Sequence, residues 1–137
     1  MVQQARFVVH EHHATHLHYD FRLEINGVLA SWAIPKGPSM NPAEKRLAIQ
    51  VEDHPIVYID FEGIIPQGQY GAGTVVIWDR GSFTIIDEQN NRLSFSLNGK
   101  KLKGNFTLVH LKGREKGNEW LLIKQKDTFA RQDWNLE

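Results

Sequence analysis

At 137 residues, 41% of them hydrophobic, the chain has the length of one domain and can bury about two-thirds of the surface its unfolded form exposes. Its 16 basic and 16 acidic residues cancel, which excludes binding to nucleic acid or anionic membrane through a uniformly basic surface and leaves only local basic pockets. There is no cysteine, so disulfides and thiolate metal sites are excluded and any metal must be held by nitrogen and oxygen ligands.

The opening MVQQARFVVHEHH lacks the apolar core of a signal peptide, and no apolar run approaches the ~20 residues that span a bilayer. The expectation is a single domain over 1–137, soluble and cytoplasmic, without internal repeats, linkers or low-complexity stretches. Residues 10–18, HEHHATHLH, then place five of the seven histidines in nine positions. A period of two follows: Tyr19, Phe21, Leu23 and Ile25 alternate with His18, Asp20, Arg22 and Glu24, which predicts a half-buried strand. Asn26-Gly27 predicts a type I′ hairpin turn, because both central positions of that turn need positive φ. Residues 28–34 form the returning strand, and the PKGP at 35–38 stops it.

Further strands are predicted over 47–52, 74–78, 82–86, 92–97, 105–111 and 119–124, separated by glycines and Asn/Asp clusters. Short helical turns are expected over 41–45 and 128–134; no stretch carries a long apolar stripe at helical spacing. Many short strands at regular spacing predict an all-β, mainly antiparallel protein, and the interleaved turn glycines favour a compact β-barrel.

Strand geometry makes the histidine segment chemically specific. His18, Asp20 and Arg22 project from one face, each roughly 6.5–7 Å from the next, while the opposite face goes to the core. An imidazole and a carboxylate at i, i+2 can point at one ion. The arginine one step further cannot ligate a metal, but its fork can hold an anion beside one, and phosphate is the obvious candidate. A third ligand has four sources, His10, His12, His13 and His16, among which strand parity cannot choose. Two imidazoles and a carboxylate suit manganese, zinc or iron without selecting one. The helical zinc signature H-E-x-x-H is not present.

Other residues carry two readings each. Lys36, in the rigid PKGP turn, is an ordinary solvated lysine or a phosphate contact. His54, in VEDHP, is a histidine at the core edge or an acid/base and phosphate ligand. The PQGQYGAG at 66–73 fits no phosphate-loop signature and reads as a tight strand connection, or as a loop whose backbone N–H groups contact substrate. His110 shares an apolar face with Phe106 and Leu108 and reads as a core-edge histidine. The KKLK at 100–103 reads as a solvated turn that could also touch a nucleic-acid backbone.

The motifs LHYDFRLE, SWAIPKGP, VEDHP, FEG-IP-G-YGAG and WDRG recur in this order from about residue 6 to the NEWLLIKQKD stretch. Together they closely resemble the 3′-phosphoesterase domain known at the N-terminus of the bacterial end-joining DNA ligase D, and as a free-standing protein. The resemblance implies a β-barrel and a manganese-dependent enzyme, with Zn²⁺ or Co²⁺ as other ions. It would act on nucleic-acid 3′ ends, removing a terminal ribonucleotide and then the 3′-phosphate to leave a 3′-OH. On the H-x5-H-x-D pattern the implied metal ligands are His12, His18 and Asp20. The implied phosphate contacts are Arg22 and His54, and further active-site positions fall on Lys36, Arg46 and Tyr58. This chain carries His10 where the ligase-linked members have glutamine, and His16 where they often have a basic residue. It contains no ligase or polymerase part, so the activity would work alone or with a separate ligase and polymerase. The rival expectation is a non-catalytic module that binds nucleic-acid ends or a ligase around a structural metal; such a site would need neither Arg22 nor His54.

Overall fold

The computed structural model describes residues 5–136. Nine strands run in the order β1 (Ala5–His13), β2 (Leu17–Ile25), β3 (Val28–Ile34), β4 (Arg46–His54), β5 (Gly63–Ile65), β6 (Gly73–Gln89), β7 (Arg92–Asn98), β8 (Lys103–His110) and β9 (Glu119–Lys124). All pairings are antiparallel, and the sheet order β1-β2-β3-β4-β9-β8-β7-β6 closes on itself through β1–β6, giving an eight-stranded barrel with β5 beside β6. Closure satisfies the strand edges that an open sheet would expose. Among the described residues no helix is long and apolar enough to cross a membrane.

Alternation fills the interior. Phe7 and Val9 of β1 and Tyr19, Phe21 and Leu23 of β2 point inward to meet Trp32, Phe95, Phe106 and Leu108. Phe21, Phe95 and Phe106 stack across the barrel with centroids 5.8 and 6.2 Å apart. Each such ring contributes about 2–3 kcal/mol of burial. The other face of β1 is covered too: Val8 packs with Leu29 and Ile59 in a second small cluster, flanked by Ile56, Tyr58 and Ile77. The cover is the segment after β4, which makes a 3₁₀ turn over Ile56–Asp60. A polar residue on the outer face of β1 or β2 is therefore buried between barrel and cover.

The structure departs from the sequence-based expectations at four places. The histidine-rich start is itself a strand, β1, and its register against β2 sets His12 opposite His18 and His10 opposite Asp20. The strands expected over 74–78 and 82–86 are one strand of 17 residues, β6. It runs through the supposed Asp79-Arg80-Gly81 turn because the bare Gly81 lets the Asn98 carbonyl oxygen lie against it. The segments 41–45 and 128–134 are turns and bends, not helices, held by local bonds such as Glu44 N–H to Asn41 O and Ala130 N–H to Asp127 O. The 3₁₀ turn over Ile56–Asp60 carried no sequence signal that predicted it.

Candidate metal centre

Three side chains from the first hairpin converge on the outer face of the barrel. His12 Nδ1 lies 3.2 Å from His18 Nε2 and 3.4 Å from one Asp20 oxygen, and His18 Nε2 lies 3.2 Å from the other. Ligand atoms about 2.0–2.2 Å from a common ion stand about 3.3–3.6 Å apart along the edge of a tetrahedron, so these separations lie close to those around a bound divalent metal. The remaining ring nitrogens give a second, independent indication. His12 Nε2 faces the Gly71 carbonyl oxygen at 2.8 Å, and His18 Nδ1 faces the His16 carbonyl oxygen at 3.3 Å. Each bond to a carbonyl puts the ring proton on the outward nitrogen and leaves a lone pair on the inward one. Two lone pairs then meet at 3.2 Å beside a carboxylate, an arrangement that calls for a cation between them.

The electrostatics agree. The hydrogen bond that the protonated His18 ring donates to Asp20 raises the imidazole above its ordinary range, despite burial. Burial works to raise the Asp20 carboxyl, but the His18 bond and the charge of Arg22 outweigh it and hold the group low. The gap thus draws positive charge, a proton or a metal ion, and the two compete for it.

Beside the triad, the buried Arg22 guanidinium uses four of its five N–H groups. Nε donates to His10 Nδ1 at 3.0 Å, and one terminal nitrogen donates to Ser31 Oγ at 2.9 Å and to His54 Nδ1 at 3.1 Å. The other donates to Asp20 at 3.3 Å, and among the described residues its second N–H has no partner. The Tyr58 ring lies under the guanidinium, 5.0 Å from its central carbon, and packs against the His54 ring at 4.7 Å. Burial and the neighbouring Arg22 charge push His10 down to about 4, so it is a neutral ring that accepts from Arg22. Burial, then Arg22, also lowers His54. Its Nδ1 takes the Arg22 bond, with the Glu52 carbonyl oxygen equally near at 3.1 Å; in the tautomer that Arg22 selects, the proton sits on Nε2.

A bulge in β4 aims His54. Leu29 pairs with His54, but Ser31 pairs with Val51, so β4 carries one extra residue. Regular alternation from Val51 would turn Asp53 toward the site; the bulge turns His54 there instead.

His12, His18, Asp20, Arg22, His54 and Tyr58 all line one pocket of about 470 Å³. Lys36 and Arg46 do not. Lys36 is exposed in its turn. Arg46 shares the parity of the core residue Ala48 and lies 3.5 Å from Glu44. Of the four histidines considered as third ligand, His13 points away and pairs with Glu11 at 2.7 Å, His16 is exposed, and His10 serves Arg22. Sequence reasoning missed Ser31, which faces Arg22 across the β2–β3 register, and the 70–72 stretch, whose carbonyls orient His12 and whose Tyr70 stands exposed at the rim. The glycine content of that loop was its only signal. The His110 ring packs tilted against Trp120 at 4.8 Å, with Nε2 2.7 Å from the Gly117 carbonyl, in keeping with a structural role.

Comparison with known proteins converges on one family. The family model of the DNA ligase D 3′-phosphoesterase domain matches residues 10–110. The chain is 54% identical over 131 residues to the multifunctional non-homologous end joining protein LigD of Pseudomonas aeruginosa, covering 92% of this chain and 16% of the relative. It is 44% identical over 133 residues to the protein of that name from Mycolicibacterium smegmatis, covering 89% of this chain and 17% of the relative. It is 45% identical over 128 residues to the multifunctional non-homologous end joining DNA repair protein LigD of Mycobacterium tuberculosis, with 88% of this chain covered. The chain spans only 16–17% of the length of these relatives.

Proposed function

The chain belongs to the DNA ligase D 3′-phosphoesterase domain family, and from that premise we propose that it is a metal-dependent hydrolase that heals nucleic-acid 3′ ends. It removes a terminal ribonucleotide and a 3′-phosphate to leave a 3′-OH, with manganese as the working ion. The observation that carries this reading is the pair of inward lone pairs of His12 and His18 facing each other beside Asp20, with a buried arginine adjacent.

His12, His18 and Asp20 would hold the ion, which when bound supplies Lewis-acid polarisation of a phosphate oxygen. The chain's own groups do the rest. Arg22 cannot lose its charge, and its remaining N–H offers a fixed donor on a buried guanidinium, where such a bond is worth more than in solution. Its other four bonds keep it from rotating, so little reorganisation accompanies charge development on the phosphate. His54 Nε2 presents a proton to a second phosphate oxygen or to the departing one. Tyr58 holds both groups by ring contact. End healing of this kind fits the non-homologous end joining named for the relatives, with a ligase and a polymerase as partners in that process.

The test is an oligonucleotide labelled at its 5′ end and carrying either a 3′-phosphate or a 3′-terminal ribonucleotide. Conversion to the 3′-OH form with Mn²⁺, and its loss in chelator and in Asp20→Ala, is expected. Full-rate conversion in chelator overturns the metal role. Tight binding of the ends with no conversion under Mn²⁺, Zn²⁺ or Co²⁺ overturns the enzyme reading in favour of a binding module.

A further inference from the structure

A second concave surface lies at the end of the barrel, built by the β7–β8 turn and the C-terminal segment. It is a cleft of about 300 Å³ lined by Lys100, Lys101, Arg131, Asp133, Trp134, Asn135 and Leu136. On a molecule whose charges cancel, three bases against one acid is a local excess. Both lysines are exposed, and among the described residues neither makes an ion pair. Arg131 meets Asp133 at 3.5 Å in an exposed pair, which screening makes weak, so its fork remains available.

The backbone under these bases is fixed. The buried Asp79 carboxylate accepts three consecutive N–H groups, from Lys100 at 2.9 Å, Lys101 at 3.2 Å and Leu102 at 2.8 Å. Gly99 is required there, because any Cβ would collide with Asp79. On the facing side, Arg131 N–H bonds to Met40 O at 2.8 Å and Trp134 Nε1 bonds to Pro38 O at 3.1 Å. A preorganised array of cations loses little entropy on meeting a polyanion.

The cleft also connects to the candidate metal centre. Lys101 Nζ lies 4.4 Å from the centre of the Trp78 ring. Trp78 packs edge-on against Tyr19 at 5.7 Å, and Tyr19 sits between His18 and Asp20. Tyr19 itself points into the core, but the β1–β2 turn, whose Ala14 and Thr15 line the metal-centre pocket, and the β7–β8 turn, whose Lys100 and Lys101 line the cleft, lie at the same end of the barrel. Gly37 abuts both Leu136 of the cleft wall and the Tyr19 ring.

We propose that the Lys100–Lys101–Arg131 cleft is a binding surface for the phosphodiester backbone of the nucleic acid whose 3′ end enters the metal-centre pocket. It contacts phosphates of that nucleic acid away from the scissile end. The part concerning the 3′ end rests on the function proposed above; the cleft's affinity for backbone phosphate does not. Exposed lysines on an open cleft suit tracking of a strand, where each neutralised phosphate releases counterions, better than enclosure of a small anion.

The experiment compares wild type with Lys100→Glu/Lys101→Glu and with Arg131→Ala, all checked for an unchanged thermal midpoint. The turn is held by backbone N–H groups of the two lysines, which the substitutions keep; the Lys101 side-chain contact with the Trp78 ring is lost, and the thermal midpoint reads that loss. Fluorescence anisotropy with a labelled DNA duplex ending in a 3′-phosphate is read over a salt series. The double variant is expected to bind about tenfold more weakly at low salt, with a log–log salt slope smaller by about two. Turnover of a 3′-phosphate is then measured on that duplex and on a dinucleotide too short to reach the cleft. kcat/KM is expected to fall on the duplex and stay at the wild-type value on the dinucleotide. Wild-type affinity and salt slope in the double variant overturn the proposal. If no protein, wild type included, turns over either substrate, the end-healing function fails on its own, while the anisotropy series still decides whether the cleft binds backbone.

Discussion

Arg22 is the residue on which the site turns, because it is engaged on four sides at once. Such a fork is not replaceable by a point charge: a lysine at 22 supplies three donors on a flexible stem and cannot reach His10, Ser31, His54 and Asp20 together. Arg22→Lys should lower kcat/KM for 3′-phosphate release by about 100-fold or more while Mn²⁺ affinity, measured by calorimetry, changes little; an equal loss of metal affinity would assign Arg22 to the metal site itself. His10 gives a prediction in stability. Its folded form is held neutral down to about 4, while the unfolded ring titrates near its ordinary 6.5. Between those values the unfolded chain binds the extra proton. The contribution, up to about 3 kcal/mol, is therefore fully present above pH 6.5 and is lost as the pH falls toward 4. His10→Gln keeps an acceptor for Arg22 without the titration, so its urea midpoint should drop less than that of wild type between pH 7 and pH 4.5. Parallel pH dependence in the two proteins would contradict this. His18, Asp20 and Arg22 were legible from alternation alone, since one strand carries all three. The choice of His12 over His10 was not. Both sit on the same face of β1, and only the register between β1 and β2, which no local pattern encodes, brings His12 to His18 and leaves His10 to Arg22.

Elements with irregular spacing hid the rest of the site. The strand over 47–52 was legible, but its parity carried on points Asp53 at the pocket, and the bulge that corrects this arises from pairing with β3. The 3₁₀ turn that carries Tyr58 is too short to leave a period in the sequence. The long β6 shows the opposite failure, a glycine that reads as a turn and is instead a close approach. At Gly81 the strand pairs with Phe7 of β1, and one residue on, at Ser82, it also pairs with Asn98 of β7, so the strand holds both neighbours where the Asn98 carbonyl leaves no room for a Cβ. Gly81→Ala should cost about 1–3 kcal/mol, the range for overpacking, read as a lower denaturation midpoint with secondary structure retained. A neutral effect would mean that β6 and β7 can separate there without loss.

At the scale of the whole molecule, the all-β class was legible because turn signals recur at strand spacing. A barrel was expected too, from the interleaved turn glycines, but the pairing that closes it was not legible, because β1–β6 joins segments some seventy residues apart in the chain. That closure has a functional consequence. β1 is the strand that seals the barrel, pairing with β2 on one side and β6 on the other, and it also carries His12. The candidate metal triad spans β1 and β2, and the carbonyls of Gly71 and Ala72, just before β6, orient His12 from the third side. An ion held there ties together the three segments that meet at the seam, and it binds the folded chain alone, since the unfolded chain does not bring the ligands together. Mn²⁺ at a hundred times its dissociation constant should therefore stabilise the fold by about 2.7 kcal/mol, an upward shift in Tm of about 5–10 °C for a domain of this length. Asp20→Ala should abolish the shift. A shift of equal size in that variant would mean that the ion acts elsewhere, on the surface, and that the seam is held by hydrogen bonds and packing alone.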